Sequence, residues 1–158
     1  MSRRLMVVVC LVAAAGLVLA ACGDDEGDGA DGGTTGVGGS TVDITLQEFA
    51  VTPGATSAPA GSITFEATNN GPDDVHELVV IRTDLSPEAL PTNDDGSANE
   101  EGEGVEAIDE IPEFAPGETQ SLTLDLAAGA YVLICNVYDP DEDEAHYQEG
   151  MRVAFTVT

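Results

Sequence analysis

The chain has no tryptophan and no lysine, and its only permanent cations are four arginines, set against 30 acidic residues. Nucleic acid binding needs cations that neutralise phosphate, so nucleic acid is not expected as a partner. Electrostatic docking on anionic lipid is excluded on the same ground. No serine stands in a nucleophile-elbow pattern, and no glycine-rich loop joins a strand to a helix. Carboxylate pairs abound, but in so acidic a chain they carry little information. Catalysis is therefore not expected, and the chain is read as a non-enzyme. No internal repeat and no long helical period is present. Histidine occurs twice, as His76 and His146, and cysteine three times, as Cys10, Cys22 and Cys135.

The N-terminus bears on the compartment. Arg3 and Arg4 precede an almost wholly apolar run, Leu5 to Leu19, and Ala20-Ala21 stand just before Cys22. The run of roughly 15 residues is shorter than the roughly 20 that a membrane-spanning helix needs. It resembles a bacterial lipoprotein signal. That resemblance implies a signal peptide over residues 1-21, acylation of Cys22 after cleavage, and an extracytoplasmic protein anchored to the cell membrane. An uncleaved anchor is the alternative, and Ser2-Arg3-Arg4 leaves twin-arginine export beside the Sec route. Residues 22-40 continue as lipidated cysteine and linker: Gly23 to Ser40 is mostly glycine and aspartate without apolar periodicity, so it reads as a flexible acidic tether. Its expected reach is about 25 Å.

Residues 41-158 have the length of one domain with a real core. Loss of the signal leaves Arg82 and Arg152 as the only arginines against all 30 acids. Such a charge suits a cationic partner or the collection of metal cations, and it equally suits plain solubility. Val42 to Leu46, Ser62 to Ala67 and Ser121 to Leu126 alternate apolar and polar residues, the period of strands with one buried face. Val75 to Ile81 and Ala130 to Val137 are denser apolar runs suited to central strands, and Met151 to Val157 forms a last strand. Turn residues at Pro53-Gly54, Asn69 to Pro72, Pro116-Gly117 and Ala128-Gly129 separate these segments. The pattern predicts an all-β sandwich. Ser86-Pro87-Glu88-Ala89-Leu90 is expected to form one or two helical turns capped by Ser86. Asn93 to Gly104, polar and acidic, is expected to be a mobile surface loop.

With Cys10 discarded and Cys22 acylated, Cys135 has no intramolecular disulfide partner. Val132-Leu133-Ile134 and Val137 surround it, so it sits at the end of a buried strand. An inert buried cysteine is one reading. The other notes that His76, Cys135, His146 and Met151, the only histidines and the only cysteine and methionine of residues 41-158, can gather at one end of a sandwich. Two imidazoles, a thiolate and a weak thioether have the composition of an electron-transfer copper centre.

Gly129-Ala130-Tyr131-Val132-Leu133-Ile134-Cys135-Asn136 and His146-Tyr147-Gln148-Glu149-Gly150-Met151, with Asn70 to Ile81, resemble the ligand-bearing segments of the cupredoxins, the blue copper proteins. The resemblance spans Thr41 to Thr158. It implies a two-sheet Greek-key β-sandwich holding one type 1 copper ion through His76, Cys135 and His146, with Met151 as the weak ligand. It further implies single-electron transfer through the edge of His146 to an extracytoplasmic redox partner protein, one that the acidic surface expects to be basic; a monomer is expected. The spacer Asn136 to Ala145 is longer than the family's usual one and includes Asp139, Asp141, Glu142, Asp143 and Glu144, so a less rigid ligand loop is expected. A calcium loop does not fit there, because Glu144 stands where the turn glycine is required and Gly150 where the bidentate acid is required. Two other functions stay open: copper binding or delivery without redox turnover, and a metal-free binding or structural module.

Overall fold

The computed structural model describes residues 39–158. The expected signal segment 1-21, Cys22 and nearly all of the linker lie outside the described residues. Two mixed sheets face each other. The first has the order β2-β1-β4-β7, from β1 (Ser40–Gln47), β2 (Ala50–Pro53), β4 (Gly61–Asn69) and β7 (Thr119–Leu126). The second has the order β3-β11-β8-β5-β6, from β3 (Ser57–Ala58), β5 (His76–Arg82), β6 (Glu106–Phe114), β8 (Gly129–Ile134) and β11 (Arg152–Val157). A two-stranded hairpin, β9 (Tyr138–Asp139) with β10 (Glu144–Ala145), and a single turn, α1 (His146–Glu149), complete the fold. β1 and β4 run parallel, and β4 and β7 antiparallel. The expected all-β sandwich is the observed architecture.

The alternating segments behave as their period demands. Val42, Ile44 and Leu46 of β1 and Ile63, Phe65 and Ala67 of β4 point into the space between the sheets, where Leu78, Val80, Leu133 and Phe155 meet them. Phe65 and Phe155 pack edge to face at 5.5 Å. β5 and β8 are buried on both faces: Val79, Ile81, Val132 and Ile134 point away from the sandwich into a second cluster with Leu90, Ala98 and Tyr147. That second face explains why these two segments read as continuous apolar runs.

The cover for that face is the acidic excursion, which is not the mobile loop expected. Ala98 is 2% exposed. The side chain of Asn136 grips it from both sides, accepting from its N–H at 2.6 Å and donating to its carbonyl at 3.0 Å. Asn93 and Asp95 close the turn around Ser97. One small apolar residue, pinned by an asparagine, anchors the whole segment, which polarity alone does not reveal. The helical turn expected at Ser86 is a short 3₁₀ turn, Pro87–Ala89, without a side-chain cap from Ser86. β6 was not expected at all, because an edge strand exposed along most of its length carries no alternating signal.

Asn69 organises the approach to β5. Fully buried, it donates to the carbonyls of Asp74 and Phe114 at 2.9 and 3.0 Å and accepts from Gly71 N–H at 2.9 Å. Asn69→Ala would leave three backbone groups without these partners. The expected loss is about 2–4 kcal/mol in urea unfolding, with strand content retained in circular dichroism.

Candidate metal centre

β8 pairs antiparallel with both β5 and β11, Ile134 lying opposite Val79 on one side and Arg152 on the other. The end of β8 therefore meets the starts of both neighbours. Cys135 leaves the end of β8, His76 opens β5, and Met151 immediately precedes β11. The backbone locks this corner, since Cys135 N–H donates to Met151 carbonyl at 3.0 Å and Met151 N–H to His146 carbonyl at 3.0 Å.

His146 comes from the far end of the acidic spacer, and the spacer folds. Asp139 pairs with Glu144 and Tyr138 with Ala145, so β9 and β10 form a hairpin whose turn includes Asp143 at φ 56°. Aspartate tolerates that left-handed conformation. Tyr138 hydroxyl donates to Asp143 at 2.7 Å, and His146 N–H donates to Val137 carbonyl at 2.9 Å. The insertion thus loops out and returns to its base. The looser ligand loop expected from its length is replaced by a short closed connection.

Three donors converge as a result. His76 Nδ1 lies 3.2 Å from His146 Nδ1, and Cys135 Sγ lies 3.8 Å from the first and 3.4 Å from the second. Met151 is buried in the same core cluster as Cys135. Bonds of about 2.0 Å to nitrogen and 2.3 Å to sulfur around a trigonal first-row ion would separate the donors by about 3.5 Å (N···N) and 3.7 Å (N···S). The observed triangle matches that spacing closely, and soft thiolate with imidazole is a donor set that copper favours. The residues present fit a single copper ion.

No protein-family model matches the chain, and no curated relative matches it in sequence. Solved structures do resemble it. Dithionite-reduced auracyanin from the photosynthetic bacterium Roseiflexus castenholzii aligns with TM-score 0.52 at 22% identity, over 75% of this chain and 97% of its own. Auracyanin A, a "blue" copper protein from the green thermophilic photosynthetic bacterium Chloroflexus aurantiacus, aligns with TM-score 0.51 at 22% identity, over 77% and 100%. Auracyanin B gives 0.50 at 23% identity, over 75% and 88%.

The fold is a cupredoxin fold.

In this cupredoxin sandwich the electrostatics favour uncharged donors. Burial, and then the neighbouring His146, push the His76 pKa down; burial likewise lowers that of His146, against the pull of Asp74 and Glu48. Both rings are thus held as neutral imidazoles, the form with a lone pair to offer. Burial pushes the Cys135 thiol up to about 12, opposed by backbone N–H groups of Glu77 and Val137. The metal-free site keeps its proton on sulfur, and a cation has to displace it.

Several residues around the donors escaped the sequence reading. Glu48 and Phe49, from the β1–β2 turn, lie against the two histidines: Glu48 Oε1 is 3.8 Å from His76 Nε2, and the Phe49 ring meets His146 edge-on at 5.3 Å. Glu77 donates its N–H to Cys135 Sγ at 3.4 Å, and its carboxylate accepts from Asn136 N–H at 3.1 Å. Their adjacency to His76 and Cys135 was the one available signal for Glu77 and Asn136. Nothing in the spacing pointed to Glu48 or Phe49.

Glu77 also gives the metal-free domain a pH signature. Burial first, then the nearby Glu110, raise its carboxyl to about 7, against the Asn136 hydrogen bond. A raised folded-state pKa means its favourable contribution is complete below the unfolded value near 4.5 and is lost as pH climbs through 7. Relative to Glu77→Gln, the metal-free wild type is expected to lose stability between pH 4.5 and 7, by on the order of 3 kcal/mol. Urea unfolding of both proteins across that range checks this, and parallel pH profiles would refute it.

Proposed function

We propose that this domain carries single electrons through one type 1 copper ion held by His76, Cys135 and His146, with Met151 as the weak fourth ligand. The observation that carries this reading is the triangle of two imidazoles and a thiol, with no donor pair more than 3.8 Å apart, at an end of the sandwich closed to solvent. The likeness to the "blue" copper protein auracyanin A supports copper as the metal.

When bound, copper supplies a one-electron couple between its +1 and +2 states. The chain does the rest. Glu77 N–H donates to the sulfur and stabilises its negative charge once the proton has left. Backbone hydrogen bonds hold the donors at both strand ends and at the base of the hairpin, so they have little room to shift with the charge of the site. Small reorganisation makes electron exchange fast. His146 is the natural route, since it alone of the four ligands keeps any exposure, 2% against 0% for His76, Cys135 and Met151. Asp74 and Glu144 lie beside it, and Asp139 of the acidic hairpin is near enough to act on its charge. That surface suits a basic redox partner protein. Lipid on Cys22 would tether this carrier to the outer side of the cell membrane. Among the described residues no helix is long and apolar enough to cross a membrane.

Two experiments test this. Cu(II) added to the domain should produce an intense blue charge-transfer band and reversible voltammetry, and Cys135→Ser should abolish the colour. A folded protein without the band would sink the reading, and metal loss on each redox cycle would favour copper delivery instead. Separately, electron exchange with a small cationic redox protein should slow steeply between low and physiological ionic strength. Asp141→Asn combined with Glu142→Gln should flatten that salt dependence while leaving the blue band intact.

A further inference from the structure

His76 presents one ring nitrogen to the donor triangle and hides the other. Nδ1 faces His146 and Cys135, whereas Nε2 is buried and has no hydrogen-bond partner among the described residues. The charged group beside it is Glu48, whose Oε1 lies 3.8 Å away. Glu48 is 25 residues and more from the segment it touches, and it is fixed there from the backbone. Oε1 accepts from Asp74 N–H at 2.9 Å and from Asp73 N–H at 3.4 Å. Gly71 makes room for it, since a Cβ at that position would overlap both carboxylate oxygens. The β1–β2 turn, the 71–74 loop and the start of β5 thus combine to set one anchored carboxylate behind the His76 ring, on the side away from the triangle.

A neutral imidazole carries one proton on one of its two nitrogens. For Nδ1 to offer a lone pair, the proton must sit on Nε2. A carboxylate facing Nε2 favours that arrangement, because it attracts the N–H and repels the alternative lone pair. Partners of this kind orient metal-binding histidines and raise their basicity, and losing one typically lowers metal affinity about 10- to 100-fold.

We propose that Glu48 is the positioning residue for His76, holding it as the Nε2–H tautomer with Nδ1 free for the metal. The inference rests on the copper reading above and deepens it. A role confined to tying down the Asp73 and Asp74 amides would leave the ring indifferent to Glu48.

The test reads the tautomer first and the metal second. In ¹⁵N-labelled metal-free protein, long-range ¹H–¹⁵N spectra should show His76 protonated at Nε2, and Glu48→Ala should mix the two tautomers. Cu(I) affinity, measured by competition with a chromogenic chelator, should fall about 10- to 100-fold in Glu48→Ala and less in Glu48→Gln, which keeps the acceptor oxygen but not the charge. Gly71→Ala, which displaces the carboxylate without removing it, should shift both readouts in the same direction as Glu48→Ala. If Glu48→Ala does not fold, Glu48→Gln and Gly71→Ala carry the test. Unchanged tautomer and affinity in the folded variants would overturn the proposal. If the wild type gives no blue band but its His76 tautomer still follows Glu48, the copper reading falls and the positioning role stands; a blue band with an indifferent tautomer gives the converse.

Discussion

The site depends on one strand being paired on both sides in the same sense. Because β8 is antiparallel to β5 and to β11, the end of one chain segment and the beginnings of two others are forced to the same edge of the sheet. Cysteine is the residue after the strand that ends there, and histidine and methionine stand where the other two begin. Strand register is set by burial of alternate side chains, and a slip of one residue would turn every apolar side chain of β8 to the opposite face. Since both faces of this strand are buried, but against different neighbours, the register that packs the core also brings the donors together. Packing and ligand geometry are one constraint here.

Burial sets the chemistry of the donors too. Cys135 belongs to the main core and the two histidines are buried, so all three lie in low-dielectric surroundings inside a strongly acidic protein. Desolvation is the leading cause of the shift at each: down for the imidazoles, up for the thiol. The surface charge is thus kept from dictating the protonation of the interior. Glu77 is where the two regimes meet, half in the core and within reach of Glu110 and Glu100, and among the described residues it is the carboxylate pushed furthest toward neutrality. Elsewhere the acids have a plainer effect: Glu106, Asp109, Glu110 and Glu113 run along β6, the exposed edge of the second sheet, where charge opposes pairing with another strand.

What was legible in the sequence was what repeats or is rare. Alternation exposed β1, β4 and β7, and continuous apolar runs exposed β5 and β8. The scarcity of histidine, cysteine and methionine singled out the four residues that the fold gathers at one end. What was illegible depended on single polar side chains bonding to backbone far away in the chain. Asn136 turns an acidic excursion into a cover for the core by holding Ala98, and no composition measure distinguishes that from a loose loop. In the same way the spacer between Cys135 and His146 reads as long and acidic, whereas the Tyr138–Asp143 hydrogen bond and the return of His146 N–H to Val137 make it short in space.

The surroundings of His76 are illegible for a further reason. Metal-ligand types can be recognised one by one, but an orienting partner is recognised only by where it sits, and a glutamate in a chain with 30 acids has no distinguishing chemistry. Glu48 becomes distinct through two backbone N–H groups that aim it and a glycine that admits it. Phe49, the next residue, lies against the other histidine. One two-residue turn therefore touches both imidazoles, one through charge and one through an aromatic edge. It joins the first sheet to a site whose donors all come from the second sheet and its connections. The two sheets are then coupled at the donors as well as through the core, and a change in how they pack would be felt at both histidines at once.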